Sequence, residues 1–158
     1  MHSKVPAVIL MLLASVLCGC VGSASLHESE KDHLNIFDEV KQATVGAYID
    51  CCGADAEFDG IVIRPSLIDA EGNDVFWGDE SLSVSIEIWT TKLEGGSTEV
   101  RDQRVYAGTG YISGWMDRIL IPFEDIDAKG KTYGWCYVTI HAPVGDFKAV
   151  NGYTPLIP

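Results

Sequence analysis

Five cysteines, at positions 18, 20, 51, 52 and 136, are the residues of this chain best equipped for chemistry. Cys18 and Cys20 close an apolar run near the start, which leaves Cys51, Cys52 and Cys136 for the body of the protein. Three is an odd number, so these allow at most one intramolecular disulfide. In an oxidising compartment Cys136 would pair with Cys51 or Cys52. Neighbours on a strand point to opposite faces, and Cys51 continues the register of Val45, Ala47 and Ile49, so Cys51 with Cys136 is the expected bridge. The rival is a zinc site of Cys51, Cys52, Cys136 and His141, because three thiolates and an imidazole suit that ion. Adjacent cysteines lack the two-residue spacer of a zinc ligand pair, and no metal is expected.

Other constellations are weaker. Ser113 has no G-x-S-x-G elbow around it, and His141 is the only histidine beyond the N-terminal stretch, so no catalytic residues are assigned and no enzyme is expected. Gly108, Gly110 and Gly114 give the segment 108–114 the look of a nucleotide-binding loop, but no helix pattern follows to hold a phosphate. Acidic residues gather at Asp69, Glu71 and Asp74, at Asp79 and Glu80, and at Glu124, Asp125 and Asp127. Oxygen-rich loops can hold calcium, yet Gly72 falls at the fourth position instead of the sixth and no Glu stands at the twelfth. Solvated turns are the simpler reading, with no cofactor.

The start of the chain is more specific. Lys4 precedes an apolar run over 7–17, interrupted only by Ser15, the pattern of an export signal and too short to span a bilayer by itself. The run ends in Leu17-Cys18-Gly19-Cys20, which resembles the lipobox of prokaryotic lipoproteins. That resemblance implies cleavage after Gly19 and a diacylglyceryl thioether on Cys20. Residues 1–19 would then be a lipoprotein signal peptide and the membrane a partner through the lipid on Cys20. Two acyl chains supply an anchorage that one cannot. An uncleaved N-terminal membrane helix, or a cut further along, is the alternative. Either places the rest of the chain outside the cytoplasm.

Removing 1–19 takes away one lysine and no acid, moving the formal charge from −12 to −13. Nucleic acid and anionic headgroups both require a basic footprint, so neither is an expected partner. About 115 residues follow the linker, enough for one domain with one core.

Elements follow from periodicity. Residues 20–43 read as a lipidated cysteine and linker, with Leu34, Phe37 and Val40 spaced for a short amphipathic helix over 32–43 and a disordered spacer as the equal alternative. From 44 the period becomes two. Strands are expected over 44–51 and over 61–69, the latter interrupted by Pro65, which marks an edge or a bulge. Asp69 and Gly72 make a turn, and 75–77 resumes extended structure. The clearest element is 81–91, where Leu82, Val84, Ile86 and Ile88 alternate with Ser83, Ser85, Glu87 and Trp89. Gly95-Gly96-Ser97 returns it into 99–107, and further strands are expected over 109–112, 118–123, 133–141 and 146–150. Seven to eight short strands imply an all-β antiparallel sandwich over 44–158.

The run Ile126 to Gly130 to Tyr133, followed by the alternating stretch 135–141, resembles the loop and penultimate strand of fibronectin type III and other immunoglobulin-like domains. The resemblance implies that the Tyr133 hydroxyl bonds back to the loop backbone. Cys136 does not stand two residues after a tyrosine, so only the sandwich architecture carries over. With the lipobox, the chain resembles small archaeal lipoproteins of this architecture. In an immunoglobulin-like sheet, strands 81–91 and 133–141 are neighbours. Trp89 then lies near Trp135, Tyr137 and His141, with Glu87 beside them, on an outward face fit to grip a sugar ring or a protein. The expected function is a non-catalytic, lipid-anchored surface module for binding or adhesion to a surface glycan or protein. A structural envelope lipoprotein without its own ligand, and a metal-binding accessory lipoprotein, are the alternatives.

Overall fold

Two-residue alternation governs the chain from 42 onward. The computed structural model describes residues 36–50 and 60–158. The expected signal peptide, Cys20, Cys51 and Cys52 lie outside the described residues. Seven strands follow in order: β1 (Gln42–Asp50), β2 (Gly60–Ile68), β3 (Leu82–Glu94), β4 (Thr98–Ile112), β5 (Ile119–Pro122), β6 (Tyr133–Ala142) and β7 (Gly145–Pro155). They build a three-stranded sheet, β1-β2-β5, and a four-stranded sheet, β4-β3-β6-β7, with every pairing antiparallel. The molecule is an all-β sandwich, and its strand order is compatible with the immunoglobulin-like arrangement.

β3 alternates buried and half-buried residues from Leu82 to Thr90, and β6 does the same from Gly134 to Ile140. The inward residues of the two strands, from Val84, Ile86 and Ile88 to Cys136, Val138 and Ile140, meet Ile61, Ile63 and Leu67 of β2 and Ile121 of β5 in one core. Each large aliphatic side chain buried this way contributes about 1.5–3 kcal/mol. Thr90, the buried polar residue of β3, keeps its hydroxyl satisfied on the bulged partner strand, donating to the Gln103 carbonyl at 3.3 Å and accepting from the Gln103 amide at 3.1 Å.

Four expectations are corrected. Of the helix expected over 32–43, residues 36–38 are helical and 32–35 lie outside the described residues; it stops short of 43 because Gln42 and Ala43 already pair with Ile68 and Leu67 in the sheet. Phe37 and Val40 are buried all the same, so the core begins ahead of residue 44. Segments 99–107 and 109–112 are one strand, β4. Gly108 and Gly110 stay extended inside it because a Cβ at Gly108 would lie 2.3 Å from the Tyr106 hydroxyl, and one at Gly110 would lie 2.7 Å from Ile119 Cδ1. Those glycines make room for packing, not for a phosphate. Residues 75–77 form no strand. Val75 donates to the Leu67 carbonyl at 2.8 Å, and Trp77 folds inward with its indole N–H donating to the Glu80 carbonyl at 3.0 Å.

Pro65 keeps its place in β2 opposite Val45. β5 covers β2 only as far as Ile63. The missing proline donor therefore costs no bond on that side.

Candidate functional site

Opposite residues on antiparallel strands share a face. In the β3–β6 ladder Trp89 faces Trp135, Glu87 faces Tyr137 and Ser83 faces His141. Core residues occupy the other parity, so all five residues expected at a binding face stand together on the outer side of the four-stranded sheet. Trp135 and Tyr137 are tilted neighbours with centroids 6.3 Å apart. Trp135 lies over Gly152 of β7, whose absent side chain leaves 3.7 Å between a Cβ position and the indole nitrogen.

The face also holds two residues that periodicity did not reveal. Arg101 sets its guanidinium 5.2 Å from the Trp89 ring centre and 4.9 Å from that of Tyr137. Arg104 lies 5.9 Å from the Trp89 ring centre and donates to Glu87 Oε1 at 2.7 Å. The Trp89 indole N–H donates to the other Glu87 oxygen at 3.2 Å. Residues three apart in a regular strand point to opposite faces. Register shifts around Trp89 bring Arg104 opposite Trp89 and Arg101 opposite Thr91, and so put both arginines outside. The Gly95-Gly96-Ser97 turn signalled the pairing, but nothing in the local pattern marked the bulge.

These cations leave Trp89, Trp135 and Tyr137 half-buried. The open margin lies at β7, where Tyr153 is 67% exposed and stacks on Tyr133 with centroids 4.1 Å apart. That stack corrects the role expected for Tyr133. Its ring lies outside against Tyr153, and the Tyr133 phenol beside it pushes the Tyr153 phenol above its usual range. Among the described residues the Ile126 turn is closed by backbone alone, through Ile126 N–H to the Phe123 carbonyl and Lys131 N–H to the Ala128 carbonyl.

Arg104, then the Trp89 indole, hold the Glu87 carboxyl below its usual range. A depressed carboxyl stabilises the fold above its unfolded value and loses that contribution as pH falls through its folded value. The pair is exposed and screened, so Glu87→Gln should cost under about 1 kcal/mol at neutral pH. It should also abolish an acid-range change in tryptophan emission shown by the parent. An unchanged acid titration in the variant would show that Glu87 does not brace Trp89.

Beside the aromatic half lies a hydroxyl-bearing half. Ser85 faces Thr109 on β4 and Thr139 on β6. His141 Nε2 is 2.8 Å from Ser85 Oγ, and His141 Nδ1 is 2.8 Å from Asp146 Oδ1. A carboxylate only accepts, so in the neutral ring Nδ1 carries the proton and Nε2 accepts from the serine hydroxyl. The connectivity is that of a Ser-His-Asp relay, which the sequence hid because its members lie on three strands. Acyl transfer also requires donors aimed at a developing oxyanion. Ser85 sits in the middle of β3, a strand laddered on both sides, where backbone amides serve the sheet. The relay fixes the histidine ring and presents a polar surface on the outer face.

The zinc alternative fails on parity, since Cys136 points into the core and His141 outward. No group of three metal-ligating side chains occurs among the described residues. The Asp69 turn satisfies itself. Oδ1 accepts from the amides of Glu71 and Asn73 at 2.9 and 2.8 Å, and Oδ2 accepts from the Asn73 side chain at 3.1 Å. Gly72 supplies the positive φ, +88°, as expected of the turn.

Cys136 is fully buried between the sheets and bonds to no other sulfur among the described residues, its expected partner Cys51 lying outside them. Burial pushes the Cys136 thiol up to about 12. A thiol reagent applied to the native protein at pH 8 should leave Cys136 unmodified, and peptide mapping should find it labelled only after denaturation without reductant. Labelling in the native state would contradict this burial. A thiol still blocked in denaturant would restore the bridge.

No family model, curated protein or solved structure matches this chain. Function must be read from the face itself. It combines flat rings, two arginines and a row of hydroxyls on a regular sheet, an arrangement fit for reversible contact with a ligand.

Proposed function

We propose that the protein is a non-catalytic, lipid-anchored cell-surface sandwich that binds a surface glycan across the outer face of β4-β3-β6-β7. The observation that carries this reading is the register that sets Trp89 against Trp135, with Arg101 over Trp89 and Tyr137. Rings at one end offer the flat apolar contact that a sugar ring covers. Ser83, Ser85, Thr109, Thr139 and His141 offer donors and acceptors at the other. The anchor, the extracytoplasmic location and the kinship with archaeal lipoproteins rest on the lipobox at Cys20.

The reading is tested by titrating the mature chain with a glycan panel and following tryptophan emission. Trp135→Ala should weaken the response by at least about tenfold, the effect of a central aromatic contact. The same change should cost the fold only about 1 kcal/mol, the scale of one cross-strand pair. A response that survives both Trp89→Ala and Trp135→Ala would overturn the assignment of this face. A pull-down from envelope protein that requires these tryptophans would replace the glycan with a protein partner. Silence in both experiments would favour a structural envelope role.

A further inference from the structure

Three large apolar side chains lie exposed at one end of the sandwich, away from the face just described. Trp115 is 75% exposed, Met116 62% and Phe76 52%. Water is a poor environment for three such neighbours, and contiguous apolar patches on small proteins usually mark a contact. They are also held rigidly. Phe76 and Trp115 meet edge to face with centroids 4.9 Å apart. Ser113 and Met116 close the tip of their loop, the Ser113 amide donating to the Met116 carbonyl at 2.9 Å and the Met116 amide to Ser113 Oγ at 3.1 Å. Gly114 pins this loop to its neighbour by donating to the Gly78 carbonyl at 2.9 Å. A Cβ at Gly114 would come within 2.6 Å of that oxygen and 2.9 Å of the Phe76 ring, so the close approach of the two loops depends on glycine.

Where this tip sits is informative. β1 begins here, with Gln42 paired to Ile68 at the end of β2, and β3 begins here, with Leu82 paired to Ile112 at the end of β4. The N-terminal chain therefore enters the sandwich at the same pole as Phe76, Trp115 and Met116. Sixteen residue steps separate Cys20 from Ile36. At full extension they reach no more than about 55 Å, and any shorter course brings this pole nearer the anchor.

We infer that Phe76, Trp115 and Met116 form a membrane-contact tip that enters the interfacial layer of the bilayer holding the Cys20 lipid. This rests on the lipid-anchor part of the proposed function. Tryptophan favours the headgroup level, where its ring is apolar and its N–H still finds partners. The chain around the tip carries Asp74, Asp79, Glu80 and Asp117 against Arg64, which pairs with Asp117, and Arg118, a negative balance, so the bilayer it fits is zwitterionic or neutral, and anionic headgroups repel it. Tip and lipid together would hold the sandwich against the membrane by one pole, leaving the aromatic sheet face at its side open.

The test reconstitutes the lipidated mature chain into phosphatidylcholine vesicles containing bromine-labelled acyl chains. Flotation reads the anchor and quenching of tryptophan emission reads the tip. The expected result is a floated protein with a quenched component that Trp115→Ser removes and Met116→Ser reduces. Replacing part of the lipid with phosphatidylglycerol at low salt should reduce it too. Floated protein without quenching overturns the tip and leaves the anchor standing. If the protein does not float, the anchor reading fails. The tip is then judged on unlipidated Cys20→Ser chain added to the same vesicles, where quenching dependent on Trp115 supports it and none overturns it.

Discussion

Gly134→Ala should bring the denaturant midpoint of the fold far below that of the parent. A Cβ at Gly134 would stand 2.4 Å from the carbonyl oxygen of Trp89 and 3.2 Å from its carbon, atoms of a neighbouring backbone that cannot turn aside. Gly134 pairs with Thr90 on one side and Thr154 on the other, both buried, so relief would require prising β6 from a central position in the sheet. Overpacking usually costs about 1–3 kcal/mol. A backbone obstacle between two ladders belongs at or above the top of that range, a large share of the roughly 5–15 kcal/mol that holds a domain together. The denaturant midpoint followed by tryptophan emission should fall sharply. Gly152→Ala is the control. Its Cβ would meet Trp135 at 3.7 Å, an ordinary contact, and its midpoint should stay near that of the parent. Equal midpoints for the two variants would mean that the Trp89 backbone gives way more easily than a paired strand should.

Cys20→Ser is expected to have an all-or-none effect on location. If the lipobox reading is right, the thiol is the atom that takes the diacylglyceryl group, and a hydroxyl is a much poorer nucleophile at the pH of the cell. Processing of 1–19 should stop, leaving a precursor heavier by the signal peptide, or cleavage elsewhere should release the chain from the membrane. Mass spectrometry of the membrane and soluble fractions separates these outcomes. A variant that is still lipidated and cut after Gly19 would refute the lipobox. Cys18→Ser should change neither mass nor location, because Leu17 is a poor residue for the position just before a cleavage site.

The two predictions draw on different layers of the chain. The lipidation proposed for Cys20 rests on a handful of adjacent residues, and no fold is needed to propose it. Gly134 looks like any glycine in a strand, and only the approach of the Trp89 carbonyl from β3 makes it irreplaceable. The Ser85, His141 and Asp146 relay is of the same kind. Its members are 56 and 5 residues apart along the chain, and the β3–β6 and β6–β7 registers bring them together.

Alternation was enough to identify the sandwich. Residues with period two on strands such as Leu82–Glu94 and Tyr133–Ala142 have one face to bury, and two such sheets closing on each other is the solution open to a chain without long helices. The same parity put Trp89, Trp135, Tyr137, His141 and Glu87 on one outer face once β3 and β6 were neighbours. Alternation failed where a local irregularity reset it. The bulges around Trp89 moved Arg101 and Arg104 to the aromatic side, glycines at 108 and 110 joined two expected strands into one, and the pull of the β1–β2 ladder overrode a helical spacing at 32–43.

The sequence by itself determined the all-β class and the side on which the residues of regular strands stand, because these depend on composition, order and a period of two, and it alone carries the proposal of an export signal. Tertiary structure alone decided which cations cover the aromatic rings, that Tyr133 stacks on Tyr153, that the Cys136 thiol is sealed in the core, and that Phe76 and Trp115 meet at the pole where the chain enters. Each of these depends on register and on contact between segments far apart in the chain, which no local pattern encodes.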